Sequence, residues 1–368
     1  MSKLKYPFDV QFFLDGLNQE RLKEMKEELL RIGDSLDVLQ IEDAARIHIH
    51  TDDPEKVKQI CEKFGEVSDW AVEDMESQIG REKIGLITTA DLPQEIIEKY
   101  GIRVVSLYYD FPEKNLEGSF YEKLRKAKQL PITSQLTLAD FAEIYQQELE
   151  KFDYILVTTL SSTFSGTFNS ASQAREWEEN RERIRLVDSF NVTIGEGLFV
   201  LKANQLIKEG KDLDRIEEEL IVFRNQIKIY GVLGDLKFIQ SGGRVFKNKV
   251  LSGMIGKLIN FLGKIRIRPI LTLKDGRITI GGIKFGFSPV SLLFSLIKKA
   301  DCEGKLTIAI GYTDNFKEAE ALKDKINSNL PQAEVLFMSE IGPVVGCHAG
   351  PGALIIAFCS SENLKVVD

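Results

Sequence analysis

Apolar and polar positions fall into two patterns along the 368-residue chain, and the change from one to the other divides it. Before residue 75, the runs DVQFFL, SLDVLQI, ARIHIHT and SDWAVEDM read as strands. Leu22, Met25, Leu29 and Ile32 recur at helical spacing, and Gly33 follows where a helix commonly stops. A second helix is expected from Pro54 to Phe64. Asp53 is its N-cap and Pro54 its first helical residue, while Val57, Ile60, Cys61 and Phe64 share one face ahead of Gly65. The order strand, helix, strand, strand, helix, strand predicts a split βαβ-like α+β module, with two helices on one face of an antiparallel sheet. Alternation along the third strand sends Ile47 and Ile49 to the core and puts Arg46, His48 and His50 on the other face.

The polar segment ESQIGREK, residues 76 to 83, ends this module, so the expected division is 1–80 and 81–368. A new pattern then starts. IGLIT is a strand, Asp91 and Pro93 open a helix, and IRVVSLYY is the next strand. YILVTTL, IRLVDS, YGVLGDL and KLTIAIGYT follow, with helical stretches such as TIGEGLFVLKANQLIKEG and NFKEAEALKDKINSNL between strands. Alternating strands and helices predict an α/β fold of mainly parallel sheet with helices on both faces. KIRIRPILTLKDGRITIGGI departs from this as two strands around a KDG turn, a hairpin in a second subdomain.

Composition narrows the classes. There are 48 basic against 56 acidic residues, a net charge of −8 with no block of five like charges, which argues against a nucleic-acid surface or a basic membrane-binding face. The four cysteines show no CxxC spacing, and MSKLKYPFDVQ lacks the apolar run of a signal peptide, so a reducing, cytoplasmic location is expected. The longest apolar stretch, VLSGMIGKLINFLGKIRIRPIL, is interrupted by lysines and arginines too often for a membrane span.

Three loops carry candidate chemistry, because ligands of open parallel sheets bind at the C-terminal ends of strands. LPITSQLTLADF places Thr133, Ser134 and Gln135 before a helix with a capping box from Thr137 to Asp140. LSSTFSGTFNSA sets Ser161, Ser162, Ser165 and Thr167 around Gly166, and IGPVVGCHAGPGALIIAF brings the third histidine, His348. Hydroxyls beside glycine amides are donors for a carboxylate or phosphate; the same residue types also serve as ordinary turns and caps. The GxSxG spacing of a nucleophile elbow is missing, as is a P-loop. His48 and His50 form half a metal site, or a solvated pair; a zinc needs a third ligand that spacing does not name.

Residues 6 to 75, most specifically HIHTDDP and KFGEVS, resemble the middle domain of the large, ATP-using subunit of bacterial fatty acid kinase, related to dihydroxyacetone kinases. That resemblance implies a metal held by His48, His50 and a first-strand residue. The family's cysteine there is Asp9 in this chain, a harder ligand for zinc. Residues 84 to 360 resemble the DegV family, the acyl-carrying partner in the same system, through TTADLP, TSQLTLADF, LSSTFSGTFNSA, DSFNVTIGEG, SGGRV, RPILTLKDGRI and GPVVGCHAGPGA in that order. The second resemblance implies a long-chain fatty acid in an apolar tunnel between subdomains. Its carboxylate would be bound by Thr133 and Ser165, with Ser134, Gly166, Thr167 and Thr89 contributing and His348 alongside, and Arg244 at the mouth is the candidate catalytic residue, pairing with the carboxylate or the phosphate delivered to it. Three departures stand out. Ile87-Thr88-Thr89 replaces the family's DST, Phe285 replaces an arginine tied to phosphotransfer, and Cys347 replaces a threonine. The expected function is therefore a fatty-acid-binding component of phospholipid metabolism, with no nucleotide site of its own, presenting its ligand to a separate ATP-binding kinase component. The alternatives are a metal-dependent enzyme centred on Asp9, His48 and His50, and a lipid sensor or store with no kinase link.

Overall fold

The computed structural model describes residues 5–16, 19–41, 44–74, 83–163, 165–234, 238, 267–285, 288–301 and 304–364. The chain divides into two compact units, Met1–Glu82 and Lys83–Asp368.

The first unit runs β1 (Phe8–Asp15), α1 (Gln19–Leu29), β2 (Gly33–Ile41), β3 (Ala44–Thr51), α2 (Pro54–Cys61) and β4 (Glu66–Asp74). Its strands form one sheet in the order β2-β3-β1-β4, and both ladders of β1 are antiparallel. One face carries Val10, Phe12, Leu14, Ile47 and Ile49 against Met25, Leu29, Val57 and Ile60, all buried. Each such side chain contributes roughly 1.5–3 kcal/mol relative to exposure. The Asp53 carboxylate accepts from the Lys56 amide at 3.1 Å, capping α2. Helix α1 ends at Leu29, earlier than Gly33 suggests. Gly33 instead opens β2, where an added Cβ would lie 2.3 Å from the His50 carbonyl, so the close approach of two strands is what requires glycine there.

The second unit contains β5 (Ile84–Thr88), α3 (Gln94–Tyr100), β6 (Arg103–Val104), β7 (Tyr108–Asp110), α4 (Phe120–Lys126), β8 (Ile132–Ser134), α5 (Leu138–Leu149), β9 (Tyr154–Thr159), α6 (Thr167–Trp177), β10 (Ile184–Asp188), α7 (Thr193–Lys208) and α8 (Leu213–Phe223). β11 (Lys228–Val232), β12 (Ile267–Lys274), β13 (Arg277–Phe285), α9 (Pro289–Asp301), β14 (Leu306–Tyr312), α10 (Phe316–Asn329), β15 (Ala333–Glu340), α11 (Pro343–Ala349) and β16 (Leu354–Ser360) follow. One sheet, ordered β10-β9-β5-β6, is parallel throughout, as alternating strands and helices require. The other, β13-β12-β11-β16-β14-β15, is mixed: only β14 and β15 are parallel. The cause is connectivity, because β12 and β13 are joined by the two-residue turn Asp275-Gly276 and short hairpins are antiparallel.

Two local expectations change. The run IRVVSLYY is not one strand. The chain leaves the parallel sheet after Val104, and Tyr108–Asp110 pairs with Ile132–Ser134 in a small antiparallel sheet of its own. Asp91 does not cap α3, whose N-cap is Pro93; its carboxylate accepts from the Gly342 amide at 3.0 Å instead. Helix α7 is almost wholly buried, which its apolar sequence allows; it packs against β5, β14 and β16. Among the described residues, no helix is long and apolar enough to cross a membrane.

Candidate functional site

Alternation on β11 sets one wall of a cavity in the second unit. Ile229, Gly231 and Leu233 line it, while Val232 faces the core on the opposite side of the sheet. Leu271 and Leu273 of β12, Ile278 of β13 and Ile355 of β16 extend the wall; Val344, Val345 and Ala349 of α11 lie across from it. The open space, with its mouth and adjoining solvent included, is about 1060 Å³. Polar groups are few: Ser134, Gln135, Ser165, Thr272 and His348. An apolar chamber with a small polar cluster suits an amphipathic ligand, whose hydrocarbon is driven from water and whose head group is oriented by hydrogen bonds.

Each polar residue is set by its own local structure. Ser165 precedes α6, where its hydroxyl accepts from the Thr167 amide at 3.2 Å and lies 2.7 Å from the Thr167 hydroxyl. That position at a helix N-terminus favours negative charge. Gly166 is the N-cap of α6, and a Cβ there would meet the Gln135 side-chain oxygen at 2.1 Å. The missing side chain lets Gln135 reach the Ser170 hydroxyl, to which it donates at 3.0 Å. On β8, Thr133 Oγ1 is 3.5 Å from His348 Nε2, the outer limit of a hydrogen bond. His348 is delivered by α11, whose entry is fixed twice: the Gly342 amide donates to Asp91, and the buried Tyr121 hydroxyl donates to the Ile341 carbonyl.

The structure thus brings Ser134, Ser165 and His348 to the cavity wall, with Thr133 beside His348. Gly166 and Thr167 support the Ser165 turn and are not lining residues. Thr89 is placed elsewhere. Its hydroxyl bonds the Glu196 carboxyl at 2.9 Å and accepts from the Leu160 amide, so it reaches the cavity only by holding Leu160, which does line it. Arg244 lies outside the described residues. Sequence reasoning assigned none of the apolar wall and left Gln135 out of the site; the available signal was the period-two alternation of Ile229, Gly231 and Leu233.

The turn of the β12–β13 hairpin is attached to the loop that carries Ser165. The Gly276 carbonyl accepts from Ser161 Oγ at 2.9 Å and from Thr163 Oγ1 at 2.5 Å.

Beneath this loop is a buried acidic pair. Glu196 accepts from the hydroxyls of Thr88 and Thr89 and from the Thr89 amide at 2.8–3.0 Å, yet burial pushes its carboxyl up to about 8 against these lowering bonds. Burial likewise raises Asp91 to about 6, opposed by Thr193 and the Gly342 amide. At neutral pH Glu196 is therefore mainly the neutral acid.

In the first unit, the ladders set Asp9 and Asp34 on either side of His50. Asp9 Oδ1 and His48 Nε2 are 3.0 Å apart, His50 Nδ1 is 3.7 Å from Asp34 Oδ1, and the two imidazoles meet edge to face at 5.0 Å. One ligand atom each from Asp9, His48 and His50 lie within 4.8 Å of one another. Asp9 Oδ1 and His48 Nε2 are enclosed and converge without a well-aligned hydrogen bond. That arrangement fits a cation, and a nitrogen, nitrogen, oxygen set suits zinc with a further coordination position open.

A layered α/β unit enclosing an apolar cavity with a serine, glutamine and histidine cluster defines an α/β small-molecule-pocket class of protein. The DegV family profile matches residues 83–361, and the chain belongs to the DegV family. Residues 5–82 match the FakA-like middle-domain profile of fatty acid kinase. A DegV domain-containing protein of Clostridium perfringens is 35% identical over 283 residues, covering 73% of this chain and 96% of that protein. Among solved structures, a DegV family protein from Thermus thermophilus, described for its fatty acid binding, is 30% identical, covers 76% of this chain and 99% of that one, and superposes with a TM-score of 0.63. DegV from Bacillus subtilis, described as a fatty acid binding protein, is 27% identical, with a TM-score of 0.64 and coverage of 76% and 99%.

Proposed function

We propose that this chain binds a long-chain fatty acid in the cavity of its second unit and presents the carboxylate for phosphorylation by a separate ATP-binding component. The observation that carries the reading is the chemistry of the cavity wall, apolar except for Ser134, Gln135, Ser165, Thr272 and His348. A chain of roughly sixteen carbons, at about 0.8 kcal/mol per buried methylene, gains about 13 kcal/mol before ordering costs, ample for stable retention. Ser165 at the start of α6 and the Thr133–His348 pair then orient the charged end. The middle-domain profile over residues 5–82 supports the kinase link, with the first unit as the docking module for the ATP-binding partner.

Purifying the protein under native conditions and identifying what extraction releases tests this directly. A fatty acid near one per chain is the expected result, and protein that neither carries nor takes up fatty acid refutes it. Mixing the loaded protein with an ATP-binding kinase component then separates a kinase partner, which yields acyl phosphate, from a store, which does not.

A second site is favoured by the convergence of Asp9, His48 and His50. In this reading the three residues hold zinc, which when bound supplies a Lewis acid or a structural clamp across β1 and β3. Elemental analysis of protein purified without chelator tests it; metal-free protein that takes up no zinc refutes it.

A further inference from the structure

We infer that Gly231 sets the bore of the pocket and with it the length of acyl chain the protein retains, a reading that rests on the proposed fatty-acid site. Gly231 is the middle of Ile229, Gly231 and Leu233, the alternating residues on and just after β11 that face the cavity, and the one without a side chain. It is flanked in the ladders by Leu271 on β12 and Ile355 on β16. The residues before and after it belong to different hydrophobic clusters. Ile229 and Ile355 pack in the large core around α7, whereas Leu233 packs with Ala349, Ala353 and Leu271. Gly231 contributes no side chain between the two clusters, and a hydrocarbon lying against it would join them into one.

Nothing in the backbone asks for glycine at this position. Gly231 does not have a positive φ, and the three atoms nearest an added Cβ are Ile355 side-chain carbons at 3.4–4.0 Å, ordinary van der Waals distances. Glycine inside a strand is disfavoured by its unfolded-state entropy and by the packing it omits, so an interior strand glycine without a conformational reason marks close approach of something else. Here that something is the ligand. A side chain at 231 would occupy the space of the acyl chain without disturbing the ladder, and each carbon added displaces one from the ligand.

The test is a series at this position, Gly231→Ala and Gly231→Leu, stripped of lipid and reloaded with saturated fatty acids of about eight to about eighteen carbons. Binding is read by native mass spectrometry, and folding by circular dichroism and melting. Displacing one methylene's worth of contact weakens the longest acids by about 4-fold for alanine, and four such groups by about 200-fold for leucine, with the shortest acids held as by wild type. Gly282→Val is the control. It lies on β13, which β12 separates from β11, does not line the cavity, and has only Ile270 Cδ1 near an added Cβ, at 3.9 Å, so it leaves the length profile unchanged. A folded Gly231→Leu protein that holds the longest acids like wild type overturns the inference, as does one that loses all lengths equally or a Gly282→Val protein with the same shift. Should leucine prevent folding, the graded loss in Gly231→Ala decides. Wild-type protein that binds no fatty acid overturns the proposed function and this inference together, an outcome distinct from a binding wild type matched by its variants.

Discussion

Replacing Glu196 by glutamine should remove most of a pH dependence built into the second unit. Glu196 is fully buried, and its carboxyl is raised from 4.5 to about 8 by burial. Below its unfolded pKa both states hold the proton and the stabilising contribution is complete. Between that value and about 8 the unfolded chain ionises while the native protein does not, so stability falls as pH rises, and the contribution is gone above the folded pKa. Within that window each pH unit changes stability by about 1.4 kcal/mol. Glutamine keeps a carbonyl oxygen for the Thr88 and Thr89 donors and cannot ionise. The free energy of unfolding of Glu196→Gln minus that of wild type should therefore rise by about 1.4 kcal/mol per unit from about pH 5 to about pH 8. Urea unfolding followed by far-ultraviolet circular dichroism gives both values. Contributions of Asp91 and of the first unit are common to the two proteins and largely cancel in the difference. A difference that stays flat across this window would mean that Glu196 is ionised in the folded protein, and the argument from burial would be wrong.

Three other outcomes are expected. Combining Thr133→Ala with Ser165→Ala should weaken fatty-acid retention by about 10-fold or more, since a hydrogen bond to a charged group contributes about 1.5–3 kcal/mol; unchanged retention in an uptake assay refutes the role of both hydroxyls. Asp9→Cys should raise zinc affinity at least about 10-fold in chelator competition, because thiolate is the softer ligand, whereas His48→Ala should abolish tight binding. Cys61, Cys347 and Cys359 are buried with thiols pushed up to about 12, so in native protein they should react with a thiol reagent far more slowly than after urea unfolding.

The strongly periodic parts of this fold were legible in its residues. The first unit's order of elements, the Asp53 cap, the Thr137–Asp140 box and the shared face of His48 and His50 all follow from local rules and appear as expected. What local rules do not encode is the destination of a side chain across the fold. Asp91 looks like a helix cap because it precedes a helix, but its partner is Gly342, 251 positions away. Thr89 looks like a ligand hydroxyl, yet Glu196 claims it from a separate helix. IRVVSLYY reads as one strand because it is rich in β-branched and aromatic residues with no glycine or proline; the break after Val104 comes from pairing with Ile132–Ser134, which no window of eight residues contains. The cavity wall escaped for the same reason. It is assembled from β11, β12, β13, β16 and α11, and each contributes only an ordinary alternation or helical turn.

On the proposed fatty-acid reading, the shared anchor at the Gly276 carbonyl would couple recognition of the two ends of the ligand thermodynamically. Ser161 and Thr163 join the loop bearing Ser165 to the hairpin bearing Leu271, Leu273 and Ile278. A displacement of the wall by a bulkier tail would then be transmitted through those two hydrogen bonds to the residues at the charged end, and a tighter grip on the head would in turn stiffen the wall. Energies measured separately for head-group and tail substitutions should then fail to add, with the discrepancy vanishing when Ser161 and Thr163 can no longer donate. Selectivity for chain shape is in that sense a property of the joint as much as of the surfaces the ligand touches.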